Sequence, residues 1–125
     1  MLSFRGLNKK VCDIECHVPK STRFQHKGLG VVMGKGVVLG ENCKIWQCVT
    51  IGAGSEVASY YNGKSPVIGD NVMIMPFCLI TGDIRIGDNV IIGSFSYVNV
   101  DIPSDSIVYG IPIKIKKRKV KIQGD

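Results

Sequence analysis

The chain is poor in the residues that announce familiar chemistry. Of its 125 residues two are histidine, His17 and His26, one is tryptophan, and aromatics make up 7%. No apolar run reaches the length of about 18 residues that a spanning helix needs, so a transmembrane helix is excluded. Carboxylates are outnumbered, 10 Asp and Glu against 16 Lys and Arg, which leaves a formal charge of +6. The five cysteines, at 12, 16, 43, 48 and 78, are odd in number and follow neither a disulfide nor a zinc spacing. Cys12, Cys16 and His17 find no matching pair downstream, so no metal is expected. The first ten residues carry Arg5, Lys9 and Lys10 with no apolar block between them, which does not read as a secretory signal. Reduced thiols and a cytoplasmic location are the expectation. An apolar content of 45% excludes disorder, and the length suits one domain whose thin core is completed by a partner.

Glycine is what the chain has in excess, 15 residues, and its placement follows a six-residue repeat. Isoleucine or valine stands at Ile68, Ile74, Ile80, Ile86, Ile92 and Val98, and the same step runs through Met33, Leu39, Ile45 and Ile51. Four residues after these come smaller residues: Val37, Cys43 and Val49, then Val72, Cys78, Ile84, Val90, Ser96 and Ile102. Gly40-Glu41-Asn42, Gly69-Asp70-Asn71 and Gly87-Asp88-Asn89 repeat one turn grammar. A period of six matches no helix and no hairpin meander. It matches short strands joined by tight corners, three hexads to a coil, and therefore an all-β parallel β-helix. Cys43 and Cys78 fall in the inward ladder and read as packing, while Trp46 follows an inward residue and points outward, as an interface residue would.

The step breaks once, between Ile51 and Ile68, where about residues 53–66 must loop outward because a coil has no room inside. This loop is expected to cover a binding site. Residues 1–20 form a lead-in, 21–113 the β-helix and 114–125 a basic tail. Extending the phase back from Met33 puts an inward position at 27, with His26 outward near a corner. A histidine there suits general-base work, since its ordinary pKa of about 6.5 lies near operating pH. His17, with no nucleophile or carboxylate pattern around it, reads as structural.

Four blocks, His26-Lys27-Gly28-Leu29-Gly30, Ile45-Trp46-Gln47-Cys48-Val49-Thr50-Ile51-Gly52, Ser65-Pro66-Val67-Ile68-Gly69-Asp70-Asn71 and Gly110-Ile111-Pro112-Ile113-Lys114, together resemble the hexapeptide-repeat acyltransferases over about residues 21–116. The likeness is to the serine acetyltransferase-like branch, with small capsule and exopolysaccharide O-acetyltransferases taken as its nearest members. The resemblance implies left-handed coils, a homotrimer, and acetyl-CoA in grooves between subunits. It implies His26 as the base that deprotonates a hydroxyl, which attacks the thioester directly, with no metal and no nucleophilic residue. Backbone N–H groups at Gly52 and Ala53 are the candidate oxyanion donors. Tyr60, Tyr61, Lys64 and Ser65 are the candidate acceptor contacts in the loop, and Pro76, Ser94 and Lys114 the candidate CoA contacts.

Gln25 and Ser65 stand where serine acetyltransferases carry an Asp and a second His, which directs the expected acceptor toward a sugar hydroxyl in surface-polysaccharide synthesis. Amino-sugar N-acetylation, serine O-acetylation and a non-catalytic trimeric scaffold stay as alternatives. A γ-type carbonic anhydrase would need three zinc histidines and is set aside. Pro76-Phe77, Phe95 and Ile113 depart from the small residues usual along the CoA path. The basic run from Lys114 to Lys121 reads as a solvated strand, a contact to CoA phosphate, or a contact to an anionic membrane surface. Nucleic acid is not an expected partner, since no aromatics interleave with the lysines.

Overall fold

The computed structural model describes residues 2–3, 10–53 and 64–119. Their strands wind into a three-faced prism. The wide face holds seven strands: β1 (Leu2–Ser3), β3 (Arg23–Phe24), β6 (Lys44–Ile45), β9 (Met73–Ile74), β12 (Ile91–Ile92), β14 (Ser106–Tyr109) and β15 (Lys114–Lys117), side by side in that order. The middle face holds β2 (Asp13–Ile14), β4 (Val32–Met33), β7 (Thr50–Gly52), β10 (Leu79–Thr81) and β13 (Tyr97–Val98). The narrow face holds β5 (Val38–Leu39), β8 (Val67–Ile68) and β11 (Arg85–Ile86), extended by a bridge from Ile86 to Ile102. The chain visits wide, middle and narrow faces in turn, and each strand pairs in parallel with the one a coil earlier. Ile45 sits beside Ile74 and Ile74 beside Ile92, Ile51 beside Ile80, and Ile68 beside Ile86.

Alternation puts one residue of each two-residue strand inside. Ile45, Ile51, Ile68, Ile74, Ile80 and Ile92 are all 0–1% exposed, and a fully buried isoleucine contributes about 1.5–3 kcal/mol through lost apolar surface. The smaller ladder is buried with them: Val49, Val72 and Val90 are fully enclosed, as are Cys43 and Ser96, whose hydroxyl donates to the Gly93 carbonyl at 2.7 Å. Ile102 is the exception to the expected phase. It pairs with Ile86 and takes the large inward position of the narrow face, because the corner after Val98 is two residues shorter than the hexad step.

Boundaries also differ from those the repeat suggests. Stacking begins inside the lead-in, where Asp13 and Ile14 pair with Val32 and Met33. The start of the basic tail is a strand: Lys114–Lys117 turn back antiparallel against Ser106–Tyr109, and the Lys116 ammonium stands 5.7 Å from the centre of the Tyr109 ring. At the opposite end of the wide face β1 likewise runs antiparallel to β3.

The edge between narrow and wide faces, the glycine edge, explains the repeated Gly-acid-Asn grammar. Asn42, Asn71, Asn89 and Asp105 take left-handed φ values of 56–60°. The glycines before them do not; they give up their Cβ so that coils can touch. A Cβ on Gly69 would strike the Asp88 carboxylate and lie 2.8 Å from the Gly87 carbonyl, and one on Gly87 would lie 2.5 Å from the Ser104 nitrogen. The acids cap the neighbouring coil: the Glu41 N–H donates to Asp70 at 2.8 Å, the Asp70 N–H to Asp88 at 2.7 Å, and the Asp88 N–H to the Ser104 hydroxyl at 2.8 Å.

Candidate functional site

The edge between wide and middle faces is built differently. From Ile45 to Ile51 the chain turns this corner in one hexad, but from Phe24 to Met33 it takes three residues more. The register shows where they sit. Phe24 pairs with Ile45, and the Cys48 N–H donates to the Leu29 carbonyl at 2.8 Å, so Leu29 lies over Gln47 and residues 26–28 bulge out between. This corrects the expected inward position at 27: Lys27 is exposed and Phe24, 0% exposed, is the inward residue.

Within the bulge His26, Lys27 and Gly28 are consecutively left-handed, with φ of 52°, 59° and 75°. A left-handed non-glycine residue costs about 1–2 kcal/mol, and two in a row mark stored strain of the kind found at functional sites. The base of the bulge is fixed by hydrogen bonds: the Leu29 N–H donates to the His26 carbonyl at 3.0 Å, the Val31 N–H to the Gly28 carbonyl at 3.0 Å, and the Gly30 N–H to the Val11 carbonyl at 2.7 Å. His26 is thereby held exposed at the rim of a rigid edge. Below it along the edge come Gln47, Pro76 and Ser94, flanked by Cys48, Phe77 and Phe95, which are left-handed at φ of 57–63°. The Phe77 and Phe95 rings stack 5.1 Å apart at an interplanar angle of 4°, and Phe95 is 62% exposed.

The other predicted residues stand elsewhere. Gly52 ends β7, paired with Thr81, and Ala53 follows it on the edge between middle and narrow faces. Ser65 is on that same edge, its hydroxyl close to Gly36, and Lys64 there pairs with Asp83 at 3.9 Å across open surface. Tyr60 and Tyr61 lie outside the described residues. Lys114 is exposed on β15. Within one copy the bulge edge and this loop edge are separated by the breadth of the middle face, roughly 15 Å for its five residues. Of the predicted residues His26, Pro76 and Ser94 share the bulge edge, while Gly52, Ala53, Lys64 and Ser65 share the loop edge.

Trp46 is half-buried on the outer side of the wide face. The thiols of Cys43 and Cys78 are pushed up to about 11, first by burial, and each approaches a carbonyl, Gly69 at 3.3 Å and Gly93 at 3.0 Å. Both are packing groups. Burial also raises the Cys16 thiol. Sequence reasoning missed Gln47, half-buried beside the bulge with a buried, unpartnered side-chain oxygen. A usable signal was present in the Gly28-Leu29-Gly30 run, whose two glycines flank an outward apolar residue and so betray a corner with extra chain.

Coils of eighteen residues, ladders of large and small inward side chains, and Gly-acid-Asn corners define a parallel β-helix of hexapeptide repeats, and the relatives that follow make its hand the left one. Residues 65–99 match the bacterial transferase hexapeptide (six repeats) family model. The chain is 37% identical over 92 residues to a serine acetyltransferase of Synechococcus elongatus, covering 74% of this chain and 36% of that one. It is 42% identical over 96 residues to the Staphylococcus aureus serine acetyltransferase, covering 76% and 43%. Among solved structures it is similar to Neisseria gonorrhoeae serine acetyltransferase, with a TM-score of 0.71 and 34% identity over 90% of this chain and 40% of that one. A serine acetyltransferase in complex with CoA gives a TM-score of 0.67 and 26% identity over 85% of this chain and 40% of that one. The protein is therefore a hexapeptide-repeat chain homologous to the serine acetyltransferases, spanning less than half the length of these relatives. The expected kinship with capsule O-acetyltransferases is replaced by kinship with enzymes named for serine.

Proposed function

We propose that this chain transfers an acetyl group from acetyl-CoA to the hydroxyl of a small acceptor, L-serine by the names of its relatives, with His26 as general base. The observation that carries the proposal is the strained bulge, which fixes an exposed imidazole at a rigid edge where no packing need accounts for it. In the reaction the hydroxyl gives its proton to His26 as its oxygen attacks the thioester carbonyl. The tetrahedral intermediate then expels the CoA thiolate, which recovers the proton from His26. No cysteine takes part, in keeping with the raised thiols of Cys43 and Cys78.

The sugar acceptor gives way in this reading to serine, because every relative described above is named a serine acetyltransferase. CoA lies along the edge at Pro76 and Ser94, with Lys114 a point charge for its phosphates, and Gly52 and Ala53 are the oxyanion donors. Those groups occupy two edges, so the working unit is a homotrimer. Setting the wide face of one copy against the narrow face of the next puts the bulge edge of the first beside the loop edge of the second. The enzyme acts in the cytoplasm, where acetyl-CoA is supplied. The test is thiol release from acetyl-CoA with L-serine by wild type and by His26→Ala. A fall of about 10²–10⁴-fold with an unchanged unfolding midpoint is expected; near-wild-type release sinks the mechanism.

A further inference from the structure

Buried polar atoms in folded proteins nearly always have a hydrogen-bond partner, and one without a partner calls for an explanation. Among the described residues two side-chain atoms are buried and unpartnered, Thr22 Oγ1 and Gln47 Oε1. Thr22 is wholly enclosed, two residues before Phe24 in the inward ladder. Gln47 is different: it is half-buried, on the bulge edge, with Leu29 above it across the coil boundary. Its backbone is fixed on both sides. The Trp46 N–H donates to Ile74 at 3.0 Å, the Cys48 N–H to Leu29 at 2.8 Å, and the Gln47 carbonyl accepts from Phe77 at 3.2 Å. A carboxamide is thus held at the foot of the segment that presents His26, with its acceptor oxygen unused.

The oxygen needs a donor. On the proposed reaction the groups at the reacting centre are a hydroxyl, whose proton goes to His26, and a thioester, whose oxygen and sulfur only accept. A donor of the right kind is an N–H carried by a substrate beside that centre. We propose that Gln47 is a substrate-binding residue whose carboxamide oxygen takes such an N–H, from the ammonium of an amino-acid acceptor or from the amide of the CoA arm next to the thioester. This inference rests on the acetyl-transfer reading above.

The test compares wild type with Gln47→Met, which removes the oxygen at similar volume, and Gln47→Glu, which keeps an acceptor. KM and kcat are measured for L-serine and for acetyl-CoA. Gln47→Met is expected to raise one KM by about ten- to a hundredfold, the worth of one hydrogen bond to a buried or charged partner, with kcat within a few-fold. A rise confined to serine, rescued by Gln47→Glu, names the ammonium; a rise confined to acetyl-CoA names the amide. The thermal midpoint of Gln47→Met should equal or exceed that of wild type, since a buried unpaired oxygen is gone. Both KM values within twofold of wild type overturn the assignment. Failure of the acetyl-transfer reading looks different, as wild type itself then releases no thiol with serine. Calorimetry with each substrate alone decides in that event: weaker binding of either one by Gln47→Met supports the role, and equal or absent binding in both proteins overturns it.

Discussion

The glycine edge and the bulge edge turn the same chain through two corners of one prism by opposite means. At the glycine edge left-handed positions go to Asn and Asp, which tolerate them, and each acid caps an N–H of the adjoining coil. At the bulge edge they fall on His26, Lys27, Cys48, Phe77 and Phe95, most of them bulky residues for which that conformation is costly. Local preference and tertiary structure agree along one edge and conflict along the other. Conflict of this kind collects where a protein has something to bind or transform.

Substitutions can break that contrast. Gly69→Ala forces a methyl into the Asp88 carboxylate and the backbone of the next coil, and should cost about 3 kcal/mol or more, read as a fall in the urea midpoint. Gly52→Ala is its control: a Cβ there meets nothing within 4 Å, so stability should hold within about 1 kcal/mol. Asp88→Ala deletes the acceptor for the Asp70 N–H and should lower stability by about 1–2 kcal/mol, with Asp88→Asn recovering much of it. At the bulge edge the outcome reverses sign. His26→Gly relieves left-handed strain and should gain about 1 kcal/mol while lowering transfer about 10²–10⁴-fold, whereas Asn89→Ala should lose about 1 kcal/mol. If both changes lower stability alike, the two edges do not differ as described.

The smallest effect concerns the ladder common to both. Cys43 and Cys78 bind their protons more tightly folded than unfolded, with thiols raised from 9.0 to about 11. The unfolded chain therefore releases protons first, and stability should be full below pH 9 and decline between pH 9 and about 11. Urea midpoints across that range, in wild type and in Cys43→Ala, check the slope. Native-state labelling at pH 8 should leave both thiols unmodified.

Much of this architecture was legible because a period of six admits few folds. Every hexad residue from Met33 to Val98 named from the repeat is inward, and the Gly-acid-Asn triplets fall on one edge. What escaped has a physical reason in each case. The three extra residues at 26–28 precede the first regular hexad, so no phase existed to expose them. The two-residue shortening before Ile102 keeps Ile102 inward in either register and shows only at Ser104, the polar residue that an unbroken step would bring inside. The separation of His26 from Gly52 and Ala53 depends on which corner each occupies, and the repeat says how often the chain turns, not which side a side chain finally faces. Gln47 reads as one more polar corner residue until its oxygen is found enclosed.

A stack of identical parallel coils has no intrinsic length: its last rung offers the next molecule the same open hydrogen-bonding row that lets a cross-β fibril grow. Among the described residues the outermost strands of the wide face run backwards, β1 at one end and the lysine-rich β15 at the other. A newcomer adding in the parallel sense meets a reversed and, at β15, positively charged row. Two strands laid the wrong way round make that face a poor template for polymerisation.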